Sequence, residues 1–241
     1  MHSHPTRISS AVFRAKVLAL RLRRRLQDWH TPVALHPLIR EHQFPIVVAQ
    51  SITPLWTDPR DSEHWYQRGK VQNLRVAARA LNGCIIPAGQ VFSFWKQVGP
   101  PSRARGFAPG RMLQEGCLLP SVGGGLCQIT NGLYQLALAA GCEIVERHAH
   151  SRTVPGSATA DGRDATVAWN YVDLRFRAPC DLQLTAELTS QSLAVTLRAR
   201  GPVALTQQPS PDSAAPPIGG DHACDTCDAL DCHHKTQIPQ G

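Results

Sequence analysis

Apolar and polar positions change their period several times along the chain, and each change predicts an element. The run "FPIVVAQ", beginning at Phe44, is short and apolar, as a strand would be. In "VQNLRVAARALNG" the residues Leu74, Ala77, Ala78 and Leu81 recur at helical spacing, and Gly83 is a natural stop. "CIIPAGQVFSFW" alternates as a strand around a Pro-Ala-Gly turn. From 128 to 140, Ile129, Leu133, Leu136, Ala137 and Ala140 make one apolar stripe of a helix that ends at Gly141. Alternation returns in "CEIVERHAHS" and again in "DATVAWNYVDLRFR", while "DLQLTAELTS" and "LAVTLRAR" predict an antiparallel pair joined by "SQS". The expected fold is α+β: a helix with a cysteine at its N-terminus packed on an antiparallel β-sheet. A basic N-terminal helix and a Cys/His-rich C-terminal tail flank it.

Length and composition turn this pattern into a domain plan. The chain has 241 residues, enough to bury a sizeable core. Residues 1–45 read as a basic amphipathic helix and linker, and 46–200 as the α+β domain. Residues 201–220, "GPVALTQQPSPDSAAPPIGG", read as a Pro/Ser/Gly linker, and 221–241 as the Cys/His tail.

Charge narrows the choice of partners. Of the net charge of +7, the first thirty residues carry +6, from seven Lys/Arg against Asp28. The pI therefore describes a segment and not a basic face, and nucleic acid is not an expected partner. In that segment Val12, Phe13, Val17, Leu18, Leu22 and Leu26 lie near helical spacing with arginines between them. Two readings follow: a helix resting peripherally on an anionic membrane surface, or a helix docked on its own domain with its arginines in water. The charges interrupt any signal-peptide core, and no apolar run is long enough to span a bilayer. The expected location is the cytoplasm, with membrane association at the inner surface left open.

The most informative stretch is "SVGGGLCQITNGLYQLALAAG". Three glycines lead into Cys127, and Cys127 opens a helix. Unpaired N–H groups and the positive end of a helix dipole stabilise a thiolate there, and glycines leave room around the sulfur. A nucleophilic thiol needs a base, and "ERHAHS" offers His148 and His150, expected on one face of a strand. Asp164 or Asp173 would orient the histidine. The order of Cys, His and Asp resembles the layout of papain-like and transglutaminase-like enzymes, without their local signatures. The competing reading is a tight turn with a small buried thiol. Cys84, Cys117, Cys142 and Cys180 read as core or surface thiols.

The strings "GKVQNLRVAARALNGCIIPAGQVFSFWKQVGPP", "GFAPGRML", "VGGGLCQITNGLY", "ERHAHS" and "DATVAWNYVDLRFR" together resemble the VanW family over about residues 46–180. By this resemblance the family's glycine–cysteine motif falls on Gly123, Gly124, Gly125, Cys127 and Gln128. Its histidine motif falls on Arg147, His148, His150 and Ser151, and its aspartate on Asp164. Gly123, Gly124, Gly125, Gln128 and Arg147 thereby become candidate substrate-binding residues. The family's link to glycopeptide resistance implies cell-envelope chemistry.

The tail "DHACDTCDALDCHHK" carries a separate chemistry. Cys224, Cys227, Cys232 and His233 have the donor set of a tetrahedral zinc site, with an iron–sulfur cluster as the alternative. Four interleaved acids argue instead for loose metal binding.

Two function classes follow. The first is a thiol-dependent enzyme acting on amide or ester bonds of a small-molecule or peptide substrate of the peptidoglycan type. Cys127 would be its nucleophile, His150 or His148 its base and Asp164 the orienting acid. The second is a non-catalytic binding or accessory module for a cell-wall precursor or protein partner, with a metal- or redox-responsive tail.

Overall fold

The computed structural model describes residues 7–39, 44–114, 117–150 and 164–203. The main sheet has the order β1-β9-β8-β2, formed by β1 (Ile46–Pro54), β2 (Cys84–Ile86), β8 (Leu182–Leu188) and β9 (Ser192–Ala199). All its pairings are antiparallel, and β8 and β9 form the expected hairpin. Two long helices pack on this sheet: α2 (Asp61–Leu81) lies against β8, and α4 (Cys127–Ala139) against β1 and β9. The stripe Ile129, Leu133, Leu136, Ala137 and Ala140 is buried, as are Leu74, Ala77, Ala78 and Leu81. Each fully buried Leu or Ile contributes about 1.5–3 kcal/mol relative to exposure, so the two stripes hold the helices to the sheet.

A second sheet, β3-β7-β6, joins β3 (Val91–Ser93), β7 (Arg175–Arg177) and β6 (Glu143–Glu146). Phe92 and Phe176 stack across it at 4.8 Å. Here the structure departs from the expected long strands. The Pro-Ala-Gly turn separates β2 from β3, which join different sheets, and Phe94–Val98 forms a short helix, α3. In "DATVAWNYVDLRFR" only Arg175–Arg177 is strand, with an isolated bridge between Ala168 and Val172. A hairpin of β4 (Pro109–Gln114) and β5 (Cys117–Val122), absent from the hydropathy reading, lies on α2.

The N-terminal helix α1 spans Arg7–His30 and docks on the domain, but in the reverse sense to the expected one. Arg24 makes a two-pronged ion pair with Glu146 at 2.7 and 2.5 Å. Asp28 receives Arg175 at 2.8 Å, and Arg21 donates to the Trp169 carbonyl at 3.2 Å. Leu18, Leu22 and Leu26 face water. Docking runs through charged side chains because β6 and β7 present Glu146 and Arg175, which find opposite charges on the helix. No described helix is long and apolar enough to cross a membrane.

Candidate active site at the start of α4

Gly123, Gly124 and Gly125 form the turn between β5 and α4, with φ of 84° at Gly123 and 88° at Gly125. Their purpose differs from the expected clearing of space around the sulfur. A Cβ on Gly124 would lie 2.2 Å from the Gly110 carbonyl oxygen, and one on Gly125 would lie 2.3 Å from Lys70 Cγ. The glycines therefore seat the turn against the β4 backbone and the stem of Lys70. Fully buried Asn73 locks the arrangement: its Nδ2 donates to the carbonyls of Gly124 and Ala108, each at 2.9 Å, and its Oδ1 accepts from Ala108 N–H at 2.8 Å. With the turn fixed, Cys127 is the first residue of a thirteen-residue helix, at the positive end of its dipole.

The histidine arrives from β6. That strand stops at Glu146, so His148 and His150 lie beyond it and do not share a strand face as expected. The segment after β6 is held against 164–167, where Thr166 N–H bonds the His148 carbonyl at 2.8 Å. The segment 164–167 is in turn pinned to α4. Thr130 Oγ1 donates to the Ala165 carbonyl at 2.6 Å, and Ala165 N–H donates to Asn131 Oδ1 at 2.8 Å. These bonds place His150 over the start of α4, beside Cys127, close enough for each group's charge to act on the other.

Asp164 completes the chain. Its Oδ2 accepts from both Nδ1 and the backbone N–H of His150, each at 2.6 Å. With Nδ1 engaged, Nε2 is the ring nitrogen left for the thiol. Arg147 secures Asp164 from behind, donating from its guanidinium to Oδ1 at 2.9 Å and to the Asp164 carbonyl at 2.7 Å. Arg147 is thus turned inward and positions Asp164. Gln128 is similarly engaged: Nε2 donates to Thr53 Oγ1 at 2.8 Å and to the Pro54 carbonyl at 2.9 Å, tying α4 to β1.

Electrostatics follow this geometry. Burial pushes the Cys127 thiol up, but the hydrogen bond and charge of His150, the Val167 N–H and the Thr166 hydroxyl outweigh it, and the net shift is downward. Thr166 Oγ1 lies 3.6 Å from the sulfur. Burial disfavours the His150 imidazolium, yet Asp164 and Cys127 raise its pKa to about 10. Burial also opposes the Asp164 charge, and His150 and Arg147 overcome it, so its pKa falls. The arrangement shifts the thiol toward thiolate and the imidazole toward imidazolium, backed by a carboxylate. In contrast, burial alone raises Cys84 to about 12, and burial with the nearby Cys180 raises Cys142 to the same level.

The other sequence candidates lie elsewhere. His148 is exposed and contacts Glu146 at 3.2 Å. It lines a cleft of about 770 Å³ between α1 and the second sheet, which Cys127 does not reach. Asp173 is bound to Ser93 at 2.6 Å, Arg175 at 2.9 Å and Trp95 N–H at 3.1 Å, tying β3 to β7. Cys224, Cys227, Cys232 and His233 lie outside the described residues, among which no group of three or more His, Cys, Asp and Glu could hold a metal. Sequence reasoning missed Asn73, Thr130, Asn131, Thr166 and Lys70. Asn73 alone left a trace, as a buried polar residue beside an apolar helical stripe. Lys70 lies beside Gly125 with its Nζ 3.3 Å from Thr57 Oγ1, and burial lowers its pKa to about 8 against the pull of Asp58.

The model of the family described as "VanW like protein" matches residues 69–198. The chain is 30% identical over 160 residues to the vancomycin B-type resistance protein VanW of Enterococcus faecalis, covering 64% of this chain and 58% of that protein. It is 34% identical over 110 residues to the uncharacterized protein YoaR of Bacillus subtilis, covering 46% of this chain and 36% of that one. The chain thus spans less than two thirds of the length of either relative. No solved structure matches it. Since the family model spans more than half of its residues, the chain belongs to the VanW-like protein family.

Proposed function

We propose that the chain is a thiol-dependent hydrolase or acyltransferase acting on amide or ester bonds of a cell-envelope substrate of the peptidoglycan type. The observation that carries this reading is the juxtaposition of Cys127, His150 and Asp164 at a helix N-terminus, with the His150 ring bonded to Asp164. Thiol, imidazole and carboxylate in that order form the relay that thiol acyl transfer uses. The envelope substrate rests on the name of the Enterococcus faecalis relative, a vancomycin B-type resistance protein.

In the reaction, the Cys127 thiolate attacks the substrate carbonyl carbon and forms a carbon–sulfur bond. The carbonyl electron pair moves to oxygen, where the positive end of the α4 dipole stabilises it. The His150 imidazolium then gives its proton to the leaving nitrogen or oxygen, the scissile bond breaks and a thioester remains. Water, or an acceptor amine, attacks the thioester while His150 takes its proton, and the thiolate departs. Asp164 holds the ring orientation and stabilises its charge throughout.

The test is trapping of the thioester. Incubated with amide and ester peptides bearing D-amino acids, the protein should gain the acyl mass on Cys127, and Cys127→Ser should not form the thioester. Absence of any adduct over such a panel, with an unreactive thiol, would leave the non-catalytic binding module as the better reading. One observation favours that second reading specifically. The cleft beside α1, whose lining does not include Cys127, presents Arg23 together with the ion-paired Arg24, Arg175 and Arg177, a cationic setting for an anionic ligand.

A further inference from the structure

Among its described side chains, α1 bonds the domain from one side. Arg21, Arg24 and Asp28 make that contact. At a turn of 100° per residue, Leu18, Leu22, Leu26 and Trp29 fall within one arc of about 80° on the far side of the helix. These residues are 69%, 58%, 52% and 75% exposed. Four large apolar side chains thus form a continuous outward stripe about 17 Å long, which packing of the domain does not use.

The borders of the stripe say what fits it. Arg25 runs along one edge, Arg23 and Lys16 along the other, and all three are exposed. Asp28, the acid of the first thirty residues, is committed to Arg175. A stripe of leucines ending in a tryptophan, with one cation on one side and two on the other, matches the boundary of an anionic bilayer. There the leucines reach acyl chains, the indole sits at headgroup depth and the cations meet lipid phosphates. A second copy of the chain would instead bring these like charges together. Docking through the opposite side lets the helix lie flat on a membrane without leaving the domain.

We propose that the outward face of α1 is a membrane-docking surface for anionic phospholipid, seating Leu18, Leu22, Leu26 and Trp29 in the interface. This holds whatever reaction the thiol site performs, because the stripe and the site share no residue.

Co-flotation of the full chain with vesicles tests it. Vesicles of equal parts phosphatidylglycerol and phosphatidylcholine should carry the protein, and pure phosphatidylcholine vesicles should carry far less. Leu22→Glu with Leu26→Glu should weaken binding by more than about tenfold, since each loses a buried apolar side chain. Arg23→Gln and Arg25→Gln should each weaken it about fivefold at low salt. The melting midpoint should hold in all these variants, because the stripe is exposed. Trp29→Phe should remove a blue shift of tryptophan emission on vesicle addition. Equal binding to both vesicle types, or binding insensitive to Leu22→Glu with Leu26→Glu, would overturn the proposal. So would a dimer in sedimentation velocity that the double variant dissolves while vesicles capture nothing. Binding seen only after removal of residues 204–241 would make that segment the occupant of the stripe, and would overturn it too.

Discussion

His150 Nδ1 and Asp164 Oδ2 lie 2.6 Å apart, and the same carboxylate oxygen accepts the backbone N–H of His150 at the same distance. One acid therefore fixes both the ring and the chain that carries it. Burial opposes the Asp164 charge, but its pKa is lowered overall, so the stability it contributes is present above the carboxylate's ordinary value near 3.8. That stability is lost as pH falls through the depressed folded value. Asp164→Asn should cost about 1.5–3 kcal/mol at neutral pH, as expected for loss of charge-assisted hydrogen bonds. It should also flatten the acid limb of stability against pH. Denaturant midpoints at neutral pH and at pH values below 3.8 check both; an unchanged midpoint at neutral pH would deny Asp164 its anchoring role.

The glycine turn makes its own prediction. A Cβ at 124 would meet two backbone oxygens, Gly110 O at 2.2 Å and Arg111 O at 2.8 Å, which cannot swing aside as a side chain could. Gly124→Ala should therefore destabilise by about 1–3 kcal/mol and slow reactions of Cys127 by shifting the start of α4. Thermal melting with thiol-labelling rates on the same sample would show both effects. A neutral substitution would mean that the turn is not held as described.

How far the sequence spoke depended on whether one period governed a segment. The stripe Ile129, Leu133, Leu136, Ala137 and Ala140 was legible because burial follows the helical repeat, and Cys127 was legible at its start. His150 is preferred over His148 only for its place at the end of the run beside Ser151, because alternation runs on through both. The strand ends where Glu146 pairs with Arg175, and beyond it Arg147 and Asp164 set the path. The hairpin of β4 and β5 was hidden by Pro109 and Gly110, which read as loop but pair with Val122 and Ser121. Apolar spacing located α1 but misjudged its orientation. Glu146, 122 residues beyond Arg24, and Arg175, 147 beyond Asp28, decide which side docks.

That docking is testable at Arg24. Its ion pair with Glu146 is largely buried, and the Glu146 carboxyl, despite burial, is held down to about 2 by His148, Arg24 and the Asp173 N–H. The pair should persist above the usual carboxyl value of about 4.5 and weaken as pH falls through about 2. Arg24→Ala should weaken docking by about 1.5–3 kcal/mol. Protease cleavage within 7–30 should accelerate, while the melting of the remaining domain changes little. Cleavage at the original rate would show that α1 is held by something else.

The tail prediction uses its donor set alone. Removal of residues 221–241 should abolish stoichiometric zinc, or iron and sulfide, in protein purified under reducing conditions, and leave cooperative melting intact. Metal that stays with the truncated protein, or a lost melting transition, would contradict this assignment.

The central claim is that Cys127 is a thiolate paired with His150, and the pH profile of its alkylation tests that most directly. With the thiol lowered and the imidazolium held to about 10, the rate should be flat across neutral pH. Rate should fall only in acid, as the thiolate is protonated. His150→Ala should cut the rate at pH 6 on the order of 100-fold, because an unassisted thiol with a pKa of about 8.5 is almost wholly protonated there. His148→Ala should leave the profile unchanged. A wild-type rate that climbs about tenfold per pH unit toward 8.5, unaffected by His150→Ala, would mean an ordinary thiol and contradict the account.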